Sequence, residues 1–297
     1  MNKPKVVVIV GPTASGKTSL SIELATRFHG EIVSADSRQV YRGLDLGTGK
    51  VTKEEMDGVP HHLIDVADPK VVYTASDFVR DGRKAIVGIH ERGNLPIIAG
   101  GSFFYVDALL GRVTLPEVPP DETLRAELDA KSTPELYEML AAHDTRRAES
   151  IDKDNRRRLI RAIEISGRLG AVPLPRSEPL YDVLILGIDI EKEELHANIH
   201  ARLIARIEAG MLEEVKRLHE NGLSYDRLES LGLEYRYIAR HLRGELPYCE
   251  MLTVLETKIR QFAKRQMTWL KRDAEIKWVD RSDKTSIENL IQKFLEK

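Results

Sequence analysis

Gly11-Pro12-Thr13-Ala14-Ser15-Gly16-Lys17-Thr18 sets two glycines around four intervening residues and follows them with a lysine and a hydroxyl, the spacing of a phosphate-holding P-loop. Glycines let the backbone curl so that successive N–H groups converge, and a helix opening near Lys17 adds its positive end. Lys17 would neutralise an outer phosphate, and the Thr18 hydroxyl would ligate Mg²⁺. Such a loop is a holder: kinases, hydrolases and transferases all use it, so the chemistry must come from elsewhere in the chain.

A second polar set, Ala35-Asp36-Ser37-Arg38-Gln39-Val40-Tyr41, follows the short run Gly30–Ser34. Ligands of parallel α/β sheets gather outside the carboxyl ends of strands. Asp36 is therefore a candidate general base near the P-loop, or else the cap of a following helix. Gly100-Gly101-Ser102 closes another apolar run, Leu95–Ala99. Ser102 either brings a hydroxyl to the Asp36 segment or caps the helix at 103–110. The glycine-rich stretch Gly43–Lys50 reads as a mobile substrate loop; without a preceding strand, its Gly47-Thr48-Gly49-Lys50 is a turn rather than a second phosphate grip. His61 and His62 have nothing nearby to complete a metal set and read as a polar edge. His196 and His200 lack the intervening glutamate of a zincin.

The elements that must position these groups can be read from periodicity. Val6–Val10 is an unbroken β-branched run and reads as a buried parallel strand, followed by a helix over 19–28. Strands at 30–34, 95–99 and 183–189 alternate with helices at 76–92, 191–210 and 248–270; the helix after 191 continues over 211–219. The expected architecture is a P-loop NTPase-like α/β fold with a parallel sheet. After Gly111, Pro116, Pro119 and Pro120 break the alternation. Helices follow at 121–130, 133–142 (Thr133 as N-cap, Pro134 at the first helical position) and 154–169, so a mostly helical insertion is expected. The division is 1–112 for the first part of the core, 113–180 for the insertion and 181–297 for the completed core with its C-terminal helices. Arg157, Arg158 and Arg161 share a stripe of the last insertion helix, which is either a solvated face or a phosphate-backbone contact. Arg202 and Arg206, on the same helix as His196 and His200, are better candidates than those histidines for reaching a phosphate. Basic residues alternating with Phe262 and Trp269 form either a stacking surface or the outer side of a core helix.

At 297 residues, with 42% hydrophobic residues, the chain suits one large core with an insert. Its formal net charge is −2 although 31% of residues are charged, so a nucleic-acid surface must come from local clustering. The single cysteine, Cys249, excludes an internal disulfide and a multi-thiolate zinc site, and suits a reducing, cytoplasmic setting. No cleavable signal pattern precedes the first strand. No apolar run approaches the roughly 18 residues of a spanning helix, so no membrane partner is expected.

With these residues assembled, the chain resembles the tRNA dimethylallyltransferase (isopentenyl transferase) family nearly from end to end. The likeness is carried in order by GPTASGKT at Gly11–Thr18, DSRQVY at Asp36–Tyr41, GTGK at Gly47–Lys50 and PHHLID at Pro60–Asp65. It continues through Gly100–Ser102, RRLIRAIE at Arg157–Glu164 and AKRQMTWLKR at Ala263–Arg272. The resemblance implies that dimethylallyl diphosphate, not ATP, occupies the P-loop residues Gly11, Pro12, Thr13, Ala14, Ser15, Gly16, Lys17 and Thr18, with Arg202 assisting and Mg²⁺ as cofactor. It implies catalytic roles for Asp36 as general base, Ser102 and Lys17, acting on the exocyclic amine of a flipped-out adenosine next to the anticodon of tRNA. It also implies RNA contact by Asp36, Ser37, Arg38, Gln39, Ser102, Arg125, Arg157, Arg158, Leu159, Ile160 and Arg161. A monomer is the expected state. Two departures are visible: Ser102 stands where the family usually has threonine, and Leu233-Glu234-Tyr235-Arg236 stands where many members have a Gly-Tyr-Arg or Gly-Tyr-Lys turn. A counterpart of the zinc-finger tail of eukaryotic relatives is not expected.

Overall fold

The computed structural model describes residues 3–113, 115–174 and 177–297. The chain divides into two compact units, Met1–Leu110 with Pro179–Lys297, and Gly111–Glu178. The first is built on β1 (Lys5–Val10), whose side chains Val6 to Val10 are all buried. Val6, Val8 and Val10 enter one apolar layer and Val7 and Ile9 the opposite one, the alternation that a strand covered on both faces requires. The other strands are β2 (Gly30–Ser34), β3 (His61–His62), β4 (Leu95–Ala99), β5 (Asp182–Asp189) and β6 (Lys277–Asp280). All pair in parallel, in the order β3-β2-β4-β1-β5-β6. Their carboxyl ends therefore share one edge. The segments leaving β2, β4 and β1, three neighbours in that order, emerge beside one another there.

Helices α1 (Lys17–Arg27), α2 (Ala75–Glu91) and α3 (Phe103–Leu109) belong to this sheet. α2 starts where Thr74 and Asp77 satisfy each other's backbone amides in a capping box. Phe78, Ile86 and Ile89 of α2 lie under the β1 layer that holds Val6 and Val8. His61 and His62 are the edge strand itself. His62 Nε2 bonds Glu31 Oε2 at 2.7 Å and His61 Nδ1 bonds the Val59 carbonyl at 2.8 Å. No group of three or more His, Cys, Asp or Glu among the described residues is arranged to hold a metal.

The second unit contains α4 (Glu122–Asp129), α5 (Thr133–His143), α6 (Thr145–Ser150) and α7 (Arg156–Leu169) around Leu128, Leu136, Leu140, Leu159 and Ile163. The N-cap of α5 is Ser132 rather than Thr133: its hydroxyl faces the Glu135 amide while Glu135 Oε2 returns to the Ser132 amide at 2.7 Å. A serine with a glutamate three residues on satisfies two amides at once, which threonine one position later could not. α6 is an additional short helix, opened by the buried Asp144, which accepts from the Arg147 amide at 3.0 Å.

Glu164 on α7 is buried and collects Arg125 Nε at 2.8 Å, Arg125 Nη2 at 3.0 Å, the Asp121 amide at 2.9 Å and Arg161 Nη1 at 3.1 Å. Burial pushes its pKa up, but the Arg125 fork, the Asp121 amide and Arg161 outweigh that and hold the carboxyl below its ordinary 4.5. Because the folded value is depressed, the stabilisation is fully present above pH 4.5 and is lost as pH falls through the lower folded value. Arg125→Ala leaves the carboxylate buried without its main partner. We expect it to destabilise this unit by ~1–3 kcal/mol, discounted because the Arg125 side chain is 33% exposed. Urea unfolding at pH 7 and pH 4 checks this: the difference between variant and wild type should shrink at the lower pH.

The first unit resumes with β5 and with α8 (Lys192–Glu208), α9 (Met211–Glu220), α10 (Tyr225–Ser230), α11 (Leu233–Leu242) and α12 (Tyr248–Leu270), packed through Leu203, Val215, Ile238 and Leu255. α8 and α9 are separate helices. Gly210 takes φ 99°, a left-handed conformation that ends one helix and starts the next. Beyond α12 the chain adds β6 and α13 (Lys284–Glu296), which covers the layer holding Val7 and Ile9 with Ile287, Ile291 and Phe294. No helix of the described residues is long and apolar enough to cross a membrane.

Candidate functional site

The P-loop leaves β1 at Gly11 and curls through two left-handed residues, Ala14 at φ 63° and Gly16 at φ 85°, before α1 begins at Lys17. Among the described residues, the amides of Gly16, Lys17 and Thr18 have no acceptor, so they remain available to an anion at the helix start. Not every loop amide does. Thr13 donates its amide to Gln266 Oε1 at 2.8 Å, and the Ser15 amide reaches the Pro12 carbonyl at 3.3 Å. Thr13 therefore shapes the loop and offers no free amide, contrary to the expectation of an unbroken row of inward-pointing donors. Ser15 Oγ is buried and has no hydrogen-bond partner among the described residues.

Lys17 Nζ donates to the Pro12 carbonyl at 2.6 Å. Desolvation and the charge of Arg202, partly offset by Asp36, bring its pKa down from 10.5 to about 7. Desolvation and neighbouring Arg206 likewise push Arg202 below the ordinary guanidinium range, although that residue keeps an exposed face. Arg206 pairs with Glu234 at 3.3 Å, and burial raises the Glu234 carboxyl. Lys17 and Arg202 thus form a cationic group of the composition expected for a phosphate cradle, and Asp36 is close enough to act on both Lys17 and Glu234.

Asp36 caps no helix. A turn follows it, in which Asp36 Oδ1 accepts from the amides of Arg38 at 2.8 Å and Gln39 at 3.4 Å. This Asx-type turn fixes one carboxylate oxygen, and Oδ2 has no hydrogen-bond partner among the described residues. Ser102 sits at the N-cap of α3 but makes no capping bond; its Oγ accepts from the Ser37 amide at 3.1 Å, and its own amide donates to the Ala35 carbonyl at 3.1 Å. The two strand-end segments are thereby tied together. Gly100 permits it: a Cβ there would lie 2.2 Å from the Ala35 carbonyl oxygen. Ser37, Arg38 and Gln39 are half-buried on the same turn.

The Gly43–Lys50 segment is pinned rather than mobile. Glu214 of α9, buried and distant in sequence, accepts from the amides of Asp45 at 3.1 Å, Leu46 at 2.8 Å and Gly47 at 3.0 Å, and from the Tyr235 hydroxyl at 2.8 Å. Lys50 is used up inside the fold by Asp45 at 2.6 Å, Asp65 at 2.5 Å and the Tyr41 carbonyl at 2.9 Å. Gly49 then lies against Arg202 and Arg206: a Cβ there would stand 3.0 Å and 2.7 Å from their Nη2 atoms. Glu214, Tyr235 and Gln266 are contributors that sequence reading missed. Nothing local marks them, because each meets its loop only after folding.

In the second unit the arginines separate by role. Arg125 and Arg161 are held by Glu164, Arg161 also donates to the Val118 carbonyl at 2.7 Å, and Arg156 serves carbonyls at the end of α4. Leu159 and Ile160 are buried in the unit's core, so their side chains hold α7 and are not presented to RNA, a correction to the contacts inferred by resemblance. Arg157 and Arg158 are exposed and have no ion-pair partner among the described residues.

Mg²⁺ fits the residues present. It keeps several waters and leans on substrate phosphates, so it needs only one or two protein oxygens. Thr18 supplies an exposed hydroxyl at the start of α1 with no internal partner among the described residues.

Fold and site together define an α/β protein on a parallel sheet whose Gly11–Thr18 loop, Asp36 turn and Ser102 hydroxyl leave the carboxyl ends of neighbouring strands. The model of the IPP transferase family matches residues 39–273. Two curated relatives agree with it. The tRNA dimethylallyltransferase 1 of Geotalea uraniireducens is 45% identical over 269 residues, 90% of this chain and 88% of its own length. The tRNA dimethylallyltransferase of Anoxybacillus flavithermus is 38% identical over 297 residues, 98% and 95% of the two chains. Among solved structures, the full-length tRNA isopentenylpyrophosphate transferase from Bacillus halodurans superposes with a TM-score of 0.76 at 38% identity, covering 99% of this chain and 97% of that one. A eukaryotic dimethylallyltransferase acting on tRNA gives a TM-score of 0.83 at 27% identity, covering 98% and 77%. The chain belongs to the IPP transferase family.

Proposed function

We propose that this protein transfers a dimethylallyl group from dimethylallyl diphosphate to N6 of the adenosine 3′-adjacent to the anticodon in tRNA and releases pyrophosphate. The observation that carries the reading is the free Oδ2 of Asp36, held by its own turn on the strand next but one to the P-loop and close enough to bear on the charge of Lys17. The names of the relatives support the same substrates.

An aromatic amine is a weak nucleophile, so the main catalytic burden is to stabilise the leaving diphosphate and hold the reactants in line. The N6 lone pair forms the new bond to C1 of the donor. The C1–O bond breaks, and its electron pair leaves with pyrophosphate. Lys17, Arg202 and the amides of Gly16, Lys17 and Thr18 receive that charge. Asp36 Oδ2 takes the N6 proton, and Ser102 fixes the turn from which Asp36 acts. Mg²⁺, held at Thr18, would supply further charge neutralisation on the diphosphate. The cationic Arg157 and Arg158 serve the RNA backbone. Cytoplasmic action accords with the lone Cys249, and the protein is proposed to act as a monomer.

The test is to incubate the protein with labelled dimethylallyl diphosphate, Mg²⁺ and either unmodified tRNA, AMP or ATP. Label in tRNA supports the reading. Label only in AMP would make this a nucleotide prenyltransferase, and no label in any acceptor would leave a binding protein without turnover. For Arg157→Ala we expect weaker tRNA binding with a salt slope reduced by about one, and an unchanged single-turnover rate at saturating tRNA. Filter binding across a salt series measures it. A change in turnover alone would remove the RNA role from α7.

A further inference from the structure

The P-loop has a neighbour from the far end of the chain. Arg281 follows Asp280, the last residue of β6, at the sheet edge where the strand ends collect. Its side chain crosses the loop at Gly16: a Cβ built there would lie 2.3 Å from Arg281 Nη1, 2.9 Å from Cδ and 3.0 Å from Cζ. The guanidinium makes no hydrogen bond or ion pair among the described residues. Asp280 beside it feels the charge but spends Oδ1 on the Ser282 amide and hydroxyl, both at 2.8 Å.

A bare cation is out of place there. The start of α1 carries the positive end of the helix, Lys17 and Arg202 add two more positive groups, and a cation at that position is repelled unless an anion is shared. Gly16 is also a position where a side chain would be strained by its φ of 85°. Independently, Ser15 Oγ lies buried in the same loop with no hydrogen-bond partner among the described residues, a polar group that a bound anion would satisfy.

We propose that Arg281 is a further diphosphate-binding residue, a guanidinium that lies over the loop at Gly16 and shares the anion with Lys17 and the helix-start amides. The inference rests on the reading of the loop as a prenyl diphosphate site and extends that site to the segment after β6. An arginine suits the task because its planar fork can give two parallel N–H bonds to one phosphate.

The experiment measures binding of inorganic pyrophosphate with Mg²⁺ by calorimetry, together with KM for dimethylallyl diphosphate at saturating tRNA, for wild type, Arg281→Ala and Arg281→Lys. Arg281→Ala should raise both the pyrophosphate Kd and the donor KM by about tenfold, the low end for a charge-assisted bond from an exposed side chain. Arg281→Lys should recover part of the loss. KM for tRNA and the melting temperature should stay where they are. Equal pyrophosphate affinity in wild type and Arg281→Ala overturns the proposal while leaving the P-loop reading intact. A joint rise in both KM values with a drop in melting temperature also overturns it, by showing a structural role. Failure of the wild type itself to bind pyrophosphate would remove the P-loop reading and this role with it.

Discussion

Asp36→Ala is expected to lower prenyl transfer to tRNA by about 10²–10⁴-fold, the range for loss of a general base, with pyrophosphate affinity little changed. The alanine variant also removes the acceptor of the Arg38 and Gln39 amides, so part of its effect would come from a loosened turn. Asp36→Asn separates the two contributions. Its amide oxygen can still accept both bonds, but the side chain can no longer take the N6 proton. If the asparagine variant is as impaired as the alanine variant, proton removal is the lost step. Recovery of wild-type rates by asparagine would reduce Asp36 to a turn former and sink the catalytic assignment. Single-turnover rates with saturating tRNA and labelled donor are the measurement.

Lys17→Ala is expected to cost about 10²–10³-fold in turnover, the loss seen when one preorganised donor to developing negative charge is removed. A pH signature accompanies it. With its folded pKa lowered from 10.5 to about 7 by desolvation and Arg202, much of Lys17 is neutral at pH 8. A bound diphosphate favours the charged form and raises that value, so binding takes up a proton in the window above about pH 7. Diphosphate affinity should therefore weaken as pH rises through the window, by up to tenfold per pH unit. Calorimetry at pH 8 in two buffers of different ionisation heat reads the uptake directly, and Lys17→Arg should abolish it because a guanidinium stays charged. Absence of uptake in wild type would mean that Lys17 does not meet the anion. The same shift acts on stability with a definite sign. Between pH 7 and 10.5 the unfolded chain holds more protons than the folded one, so the cost of this lysine to the fold is greatest below that interval and fades as pH rises through it.

Much of this site could be read before folding because its chemistry is encoded in contiguous residues. Gly11 to Thr18 after a β-branched run, Asp36 after a second strand and Gly100 to Ser102 after a third are local signals, and parallel topology brings their ends together. What escaped reading depends on groups far apart in sequence. The Gly43–Lys50 stretch has the composition of a mobile loop, yet Glu214 binds three of its consecutive amides across a separation of about 170 residues. Arg125 and Arg161 have the side chain of a phosphate binder, but in the fold they serve Glu164. Residue type cannot tell a paired guanidinium from a free one. β6 was missed because Lys277, Trp278 and Asp280 are all exposed, leaving only Val279 as an inward residue; with it Arg281 was missed as well.

Gln266 of α12 accepts the Thr13 amide on its Oε1 and donates its Nε2 to the Gly101 carbonyl at 3.1 Å, and a Cβ on Gly101 would stand only 2.5 Å from that nitrogen. One carboxamide thereby works as a caliper whose two jaws are the Gly11–Thr18 loop and the Gly100–Ser102 turn. The spacing of these two loops is thus set by the length of a single glutamine side chain, anchored on a helix at a position 165 residues beyond Gly101 in the chain.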